Sequence, residues 1–255
     1  MTEHRGEDLA GDAFVDVSLR GARFVRADLS DVVMRGVELA GADLDAPWLL
    51  DGESVLLVNG VDVAPLVDAA LDARYPGRRL RRAHDLEDLQ ACWAAAQRTW
   101  AATIARAERM PAGAVDERVD GEWSLAQTIR HLVMATDTWL RRGILRVDAP
   151  FHPIGQPNEE YAADGNDTGV FSEAAPSWAR VLEVRADRVA MVDALLATAT
   201  PALLDEPRAN PWAPEHPETV RSCLHTILEE EWEHHRYAER DLAVLEARPE
   251  RGSVD

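Results

Sequence analysis

The chain has 255 residues, which is enough for one large domain or two modest ones with a buried core. Its net charge of −19 gives no basic surface for a phosphate backbone, so we expect no nucleic-acid partner. All 27 basic residues are arginine, which excludes chemistry that depends on a lysine, such as Schiff-base catalysis. The polar N-terminus and the absence of a long apolar run predict a cytoplasmic protein without membrane contact.

Residues 14–44 repeat with a period of five. Each unit carries one large apolar residue, at Phe14, Leu19, Phe24, Leu29, Met34, Leu39 and Leu44. Neither a helix nor a strand has this period, so the pattern predicts a unit that turns a corner and stacks into a solenoid. The segments ADLSD (27–31) and ADLDA (42–46) resemble the pentapeptide-repeat family. The resemblance implies a right-handed β-helix over 1–46, and its seven or so units are too few to stand without support from the rest of the chain.

Residues 47–84 read as a connector. Asn59-Gly60 predicts a turn, and a short helix is expected over 65–74, ended by Pro76-Gly77. The arginines at 78, 79, 81 and 82 are interpreted as a solvated junction, with an anion-binding patch as the alternative.

The period becomes helical from Asp85 onward. Four helices are predicted over 85–110, 124–146, 177–199 and 218–247, the first opening on an acidic cap and the second on a capping box at Ser124. Connections this long indicate a mainly α protein, a four-helix bundle over 85–247 with a crossover and a short tail over 248–255. The two cysteines, Cys92 and Cys223, are interpreted as core residues rather than reactive thiols.

The last helix has an apolar stripe that contains two ionisable residues. The stripe runs through Leu224, Leu228, Glu231, His235, Ala238, Leu242 and Leu245. Glu231 and His235 are thus expected to face inward, whereas Glu230 and His234 lie off the stripe and are expected to be solvated. A buried carboxylate must be paired or bind a metal. The spacing leaves a metal site, a Glu–His hydrogen bond and a water-filled end of the bundle as alternatives.

A third ligand is available in GEWSLAQTIRHLVMATDTWL (121–140), where His131 lies at the boundary of the apolar face. Trp123-Ser124, Arg130-His131-Leu132 and the segment from Glu231 to Arg236 together resemble the DinB superfamily. That resemblance implies an up-down-down-up four-helix bundle with a divalent metal. It assigns His131, Glu231 and His235 as the metal ligands, with the glutamate in place of the commoner histidine.

A His-Glu-His set is similar to that of the mycothiol-dependent maleylpyruvate isomerases, which bind zinc. The resemblance therefore implies a metal-dependent thiol S-transferase or isomerase with Zn²⁺, Ni²⁺ or Mn²⁺, a small-molecule substrate and mycothiol as the co-substrate. A metal-dependent hydrolase and a non-catalytic metal-stabilised module are the alternatives. DinB relatives are often dimers, so a homodimer is expected. The loop over 150–161 carries His152 and is either a substrate lid or a plain surface loop.

Overall fold

The computed structural model describes residues 3–50, 55–158 and 160–248. The chain divides into two compact units, Met1–Asp45 and Ala46–Asp255. The predicted tail over 248–255 lies outside the described residues except for Arg248, and so do residues 51–54 of the connector.

The first unit keeps the five-residue period in its backbone. A left-handed backbone conformation recurs at every fifth residue, at Gly6, Gly11, Asp16, Gly21, Arg26, Asp31, Gly36 and Gly41. A turn hydrogen bond recurs every ten residues, as from the Ala22 amide to the Leu19 carbonyl and from the Ala42 amide to the Leu39 carbonyl. The β-helix itself is not shown, since no strand occurs among residues 3–50. The large apolar side chains of the repeat are 48–61% exposed, so the described part of this unit has no buried core.

The second unit starts with the connector. Strands β1 (Leu57–Val58) and β2 (Val61–Asp62) form a hairpin on the predicted Asn59-Gly60 turn, and both turn residues have positive φ as such a hairpin requires. Helix α1 (Ala64–Arg74) follows as predicted.

The junction after α1 is only partly solvated: Arg79 and Arg82 are exposed as predicted, but the prediction was wrong for Arg78 and Arg81. Arg78 is 2% exposed and donates to Asp68 and Asp72 over 2.7 and 2.6 Å. Arg81 shares Asp68 at 2.9 Å. These acidic residues lie on α1, so the arginine pair fixes α1 to the chain that leads into the bundle.

Four long helices form the bundle, as predicted. They are α2 (Leu86–Ala107), α3 (Leu125–Thr136), α4 (Trp178–Thr198) and α6 (Val220–Glu246). Helix α3 continues as a π-helical segment, Asp137–Ile144, while a short α5 (Pro201–Leu204) and the hairpin of β3 (Pro207–Ala209) with β4 (Pro217–Thr219) precede α6. Within the described residues, no helix has both the length and the apolar character needed to cross a bilayer.

The capping predictions were half right. Ser124 and Gln127 form the predicted capping box of α3. Asp85 occupies the cap position of α2 without a side-chain hydrogen bond to the helix.

The directions of the helices follow from side-chain pairs along their lengths. Helices α2 and α6 run parallel, because Cys92 accepts from Trp232 and, further along both helices, Arg106 binds Glu246. Helices α2 and α4 run antiparallel, because Gln90 reaches the Leu196 carbonyl and Trp93 binds Asp193.

The other two directions complete the topology. Arg130 reaches the Ala174 carbonyl just before α4 and Asp137 binds Arg188 within it, so α3 and α4 run parallel. His131 lies beside Glu230 whereas Gly143 lies beside Cys223, so α3 and α6 run antiparallel. These directions give the predicted up-down-down-up bundle.

The two cysteines lie in the core between the helices, and both side chains are fully buried. Burial raises the pKa of the Cys92 thiol to about 11 and that of the Cys223 thiol to about 12. Since the thiolate is the nucleophile, burial disfavours the reactive form of both cysteines.

We expect neither cysteine to react with Ellman's reagent at pH 8 in the native protein, and both to react after unfolding in guanidinium chloride. The measurement is the absorbance of released thionitrobenzoate. Rapid labelling of either cysteine before unfolding would contradict the buried positions of both.

Candidate metal centre

Three side chains with metal-binding atoms converge where α3 faces α6. His131, Glu230 and His234 each offer one ligand atom, and these atoms all lie within 4.8 Å of one another. The Nε2 atoms of His131 and His234 lie 3.4 and 3.0 Å from the same carboxylate oxygen, Oε2 of Glu230. In the described parts of the chain this is the one such group of three.

The helical spacing explains this convergence. Glu230 and His234 are four residues apart and share a face of α6. That face adjoins the fully buried stripe, and its side chains are 29% and 15% exposed. His131 occupies the matching boundary of α3 and is 13% exposed. The expectation that Glu230 and His234 are solvated was therefore wrong, because the neighbouring helix covers this edge of α6.

The partners of His131 leave one ring nitrogen free for a ligand. Its Nδ1 lies 2.9 Å from the carbonyl oxygen of Gln156, which can only accept, so Nδ1 carries the proton and donates it. The lone pair of a neutral ring then lies on Nε2, which faces Glu230. A backbone carbonyl on the far nitrogen is the usual support of a metal-binding histidine.

The electrostatics of the group favour an anionic glutamate between two imidazoles. Burial raises the pKa of Glu230, but the hydrogen bonds and positive charges that protonated His131 and His234 supply in the absence of an ion outweigh it and hold the pKa well below its ordinary range. Metal binding would release these ring protons, since an imidazole ligand must be neutral. Burial lowers the pKa of His234, against the opposing pull of Glu230. Two neutral imidazoles and one carboxylate are a donor set that suits Zn²⁺ and other divalent first-row metals.

An aromatic side chain and a small cleft border the group. The ring centroid of Trp123 lies 4.8 Å from that of His131 and 6.0 Å from that of His234, on which the Trp123 ring stacks. Trp123 also lines a shallow cleft of about 10 Å³, together with Thr128 and Asp241. The candidate centre therefore has a partly exposed side next to a recess.

Glu231, a predicted ligand, is buried as expected but lies against another partner. It is 1% exposed, and both of its carboxylate oxygens lie 2.5 Å from Nη2 of Arg185 on α4. Gln97 on α2 approaches at 3.4 Å. The carboxylate is neutralised by a buried guanidinium, so burial of Glu231 needs no metal.

His235, the other predicted ligand, is 2% exposed and lies against α2. Its Nε2 is 2.8 Å from the hydroxyl oxygen of Thr103, whose single proton is donated to Glu239 at 3.0 Å. Nε2 is therefore the donor to Thr103, and Nδ1 is enclosed without a partner. Burial lowers the pKa of His235 to about 4, so the ring is neutral at pH 7.

The structure thus brings His131 together with Glu230 and His234, and it places Glu231 and His235 one helical position away among other partners. Metal binding by His131, Glu231 and His235 stays a prediction, which variants can test. The signal that would have found the neighbouring pair was the boundary position of His131. A ligand at the edge of the apolar face of one helix can share an ion only with residues at the adjoining edge of the facing helix.

The loop that carries His152 is fixed to the bundle. The His152 amide donates to Asp137 over 2.7 Å, and its Nδ1 accepts from the Ile154 amide. The pKa of His152 is lowered by burial and by the charges of Arg188 and Arg180. The loop touches the candidate centre through Gln156 rather than through His152.

Comparison with protein families accounts for both units. The DinB superfamily profile matches residues 95–238, more than half of the chain. The chain belongs to the DinB superfamily. The pentapeptide-repeat profile matches residues 14–46 in 8 copies. Neither the curated proteins nor the solved structures contain a match.

Membership of the DinB superfamily bears directly on the candidate centre. The superfamily includes members that bind a divalent metal. Three features of this chain bear on such an ion: the two-imidazole and one-carboxylate donor set, the Nε2 atom of His131 that does not face the loop carbonyl, and the lowered pKa of Glu230. All three suit a divalent cation held by His131, Glu230 and His234.

Proposed function

We propose that this DinB protein is a metal-dependent enzyme that activates a thiol, of the mycothiol type, for S-transfer to a small molecule or for isomerisation. The observation that carries the proposal is the convergence of His131, Glu230 and His234 within 4.8 Å at a partly exposed edge of the bundle. A catalytic metal site keeps a coordination position open to substrate, whereas a structural site is closed by four protein ligands. Three protein donors beside a recess fit the first description.

The residues of the centre have separate tasks in this proposal. When bound, a divalent cation supplies Lewis acidity that lowers the pKa of a coordinated thiol or water. His131 and His234 hold the cation as neutral imidazoles, and Glu230 reduces the charge of the site by one. Trp123 covers one side of both rings and keeps bulk water from that side.

A non-catalytic, metal-stabilised module is the second candidate, and the size of the cleft favours it. The cleft beside Trp123 has a volume of about 10 Å³, which is about enough for one water molecule and far less than a ligand pocket needs. A hydrolase would use the same centre with water in place of the thiol. Assays with thiol-dependent and hydrolytic substrates distinguish these activities once the metal is established.

The test of the centre is metal content in two matched variants. His234→Gln should remove most of the roughly one divalent ion per chain expected of the Zn²⁺-reconstituted protein, because it replaces a strong nitrogen donor with a weak amide. His235→Gln should retain that ion, because His235 lies among Thr103, Trp100 and Tyr75. The number of metal ions per folded chain is measured by inductively coupled plasma mass spectrometry.

The opposite result would assign the site to Glu231 and His235. If His235→Gln loses the ion while His234→Gln keeps it, the centre described above is wrong and the other helical register holds the metal. If the wild type binds no divalent ion, the metal-dependent proposal fails as a whole.

A further inference from the structure

We propose that Arg130 is a positioning residue that fixes the ring tautomer of its neighbour His131 by clamping the loop that follows α3. This inference rests on the proposed metal function, because the tautomer decides whether the ring nitrogen that faces the site has a lone pair for the cation. The clamp itself is a matter of contacts between Arg130, the loop and His131.

Arg130 is buried, and its side chain donates hydrogen bonds to carbonyls of the loop. The residue is 8% exposed, and Nε donates to the Ile154 carbonyl over 2.7 Å. Nη1 and Nη2 donate to the carbonyls of Ala174 and Glu173 over 3.0 and 3.2 Å. The guanidinium therefore joins two stretches of the loop that are about twenty residues apart in sequence. Burial lowers the pKa of Arg130, which reflects the cost of enclosing this cation.

The backbone of Arg130 extends the same clamp to Gln156. The Gln156 amide donates to the Arg130 carbonyl over 3.3 Å, two residues beyond the Ile154 carbonyl held by the guanidinium. The Gln156 carbonyl is then directed at Nδ1 of His131, 2.9 Å away. Side chain and backbone of one residue thus fix both sides of the short segment that presents this acceptor.

Gly155, between the two held residues, shows that the segment has little freedom to shift. A Cβ at this position would lie 2.7 and 2.9 Å from ring atoms of Phe171 and 3.3 Å from the His152 carbonyl. The Gly155 amide also donates to that carbonyl over 3.0 Å. The Gln156 carbonyl is therefore placed by packing as well as by Arg130.

The placement matters because a neutral imidazole has two tautomers. The Gln156 carbonyl, 2.9 Å from Nδ1, favours the Nδ1–H form, in which Nε2 keeps its lone pair for a cation. The Glu230 carboxylate, 3.4 Å from Nε2, favours the other form when no cation is bound. Without that acceptor, part of the population would carry its proton on Nε2, where it opposes a cation. Loss of such an outer hydrogen bond typically lowers metal affinity about 10- to 100-fold.

The test compares Arg130→Gln with Arg141→Gln, a matched control. Arg141 also donates to a carbonyl of this loop, that of Pro150, which lies six residues before Gln156 in the chain. The tautomer is read from the ¹⁵N chemical shifts of His131 in the metal-free protein, at a pH at which these shifts show a neutral ring, and Zn²⁺ affinity is measured by isothermal titration. We expect Arg130→Gln to give a mixture of tautomers and about 10- to 100-fold weaker Zn²⁺ binding. Arg141→Gln should change neither, even if both variants melt at lower temperature, and Arg130→Lys should restore part of the Nδ1–H population.

Several outcomes would overturn the inference. Retention of the Nδ1–H form in Arg130→Gln would do so, and so would a wild type that lacks this form. Equal tautomer shifts in Arg130→Gln and Arg141→Gln would reduce Arg130 to a general loop anchor. If Arg130→Gln fails to fold, Gly155→Ala displaces the same segment with Arg130 intact, and an unchanged tautomer there contradicts the proposal. If the wild type binds no Zn²⁺, the metal function fails, whereas the tautomer measurement still decides the role of Arg130.

Discussion

Glu231→Ala is expected to lower the free energy of unfolding by about 3–5 kcal/mol, because it leaves the guanidinium of Arg185 buried without its counter-charge. Arg185 is 4% exposed, and its Nη2 contacts both oxygens of Glu231. Its Nη1 is already buried without a partner, so the remaining cation has no replacement acceptor nearby. Urea denaturation followed by circular dichroism at 222 nm measures the loss in the helical unit.

The control for this prediction removes both charges. The double variant Glu231→Leu with Arg185→Met replaces the ion pair by apolar side chains of similar volume, which is often neutral or stabilising. We expect it to recover most of the stability that Glu231→Ala loses. A double variant as unstable as the single one would mean that packing, rather than the unpaired cation, causes the loss. A loss below about 1 kcal/mol in Glu231→Ala would contradict the buried ion pair.

The bundle was predictable from the sequence because its information is local. Helix ends were predicted within a few residues, since caps, turns and apolar spacing mark them in the chain itself. The inward positions of Glu231 and His235 were also predicted correctly, because the stripe of α6 is nearly continuous. Periodicity thus identified Glu231 and His235 as fully buried, but it did not identify the partly buried Glu230 and His234 beside them.

The partners of those side chains were not predictable from α6 alone. The charge of Glu231 is neutralised by Arg185, which lies 46 residues earlier in the chain, on α4. A signal did exist, because Arg185 and Arg188 fall among Val181, Val184 and Val192, on the face of α4 that turns out to be buried. An arginine in a core stripe opposite a glutamate in another predicts an ion pair before it predicts a metal.

The loop over 145–177 lay beyond sequence reasoning for a different reason. Its position depends on Arg130 and Asp137, buried polar residues that resemble surface residues in a linear pattern.

The structure of the repeat unit was also only partly predictable from the sequence. Its five-residue period survives as a backbone repeat, but closure into a coil requires stacking between distant units, which the period does not specify.

Addition of Zn²⁺ to metal-free protein is expected to stabilise the helical unit by about 3–4 kcal/mol when free Zn²⁺ exceeds the dissociation constant by 100- to 1,000-fold. The reason is mass action, since unfolding separates His131 on α3 from Glu230 and His234 on α6. Thermal unfolding with and without Zn²⁺, followed at 222 nm, measures the increment. For a unit of this size it corresponds to a rise of roughly 6–16 °C in melting temperature.

Variants on α6 make this last prediction specific to the centre. His234→Gln should start near wild-type stability in the metal-free state and lose most of the increment. Glu231→Ala should start several kcal/mol lower and still gain the increment, because Glu231 binds Arg185 rather than the ion. If Zn²⁺ instead stabilises His234→Gln as much as the wild type and leaves Glu231→Ala unchanged, the ion is held in the core by Glu231. Arg185 would then have to leave its carboxylate when the metal binds.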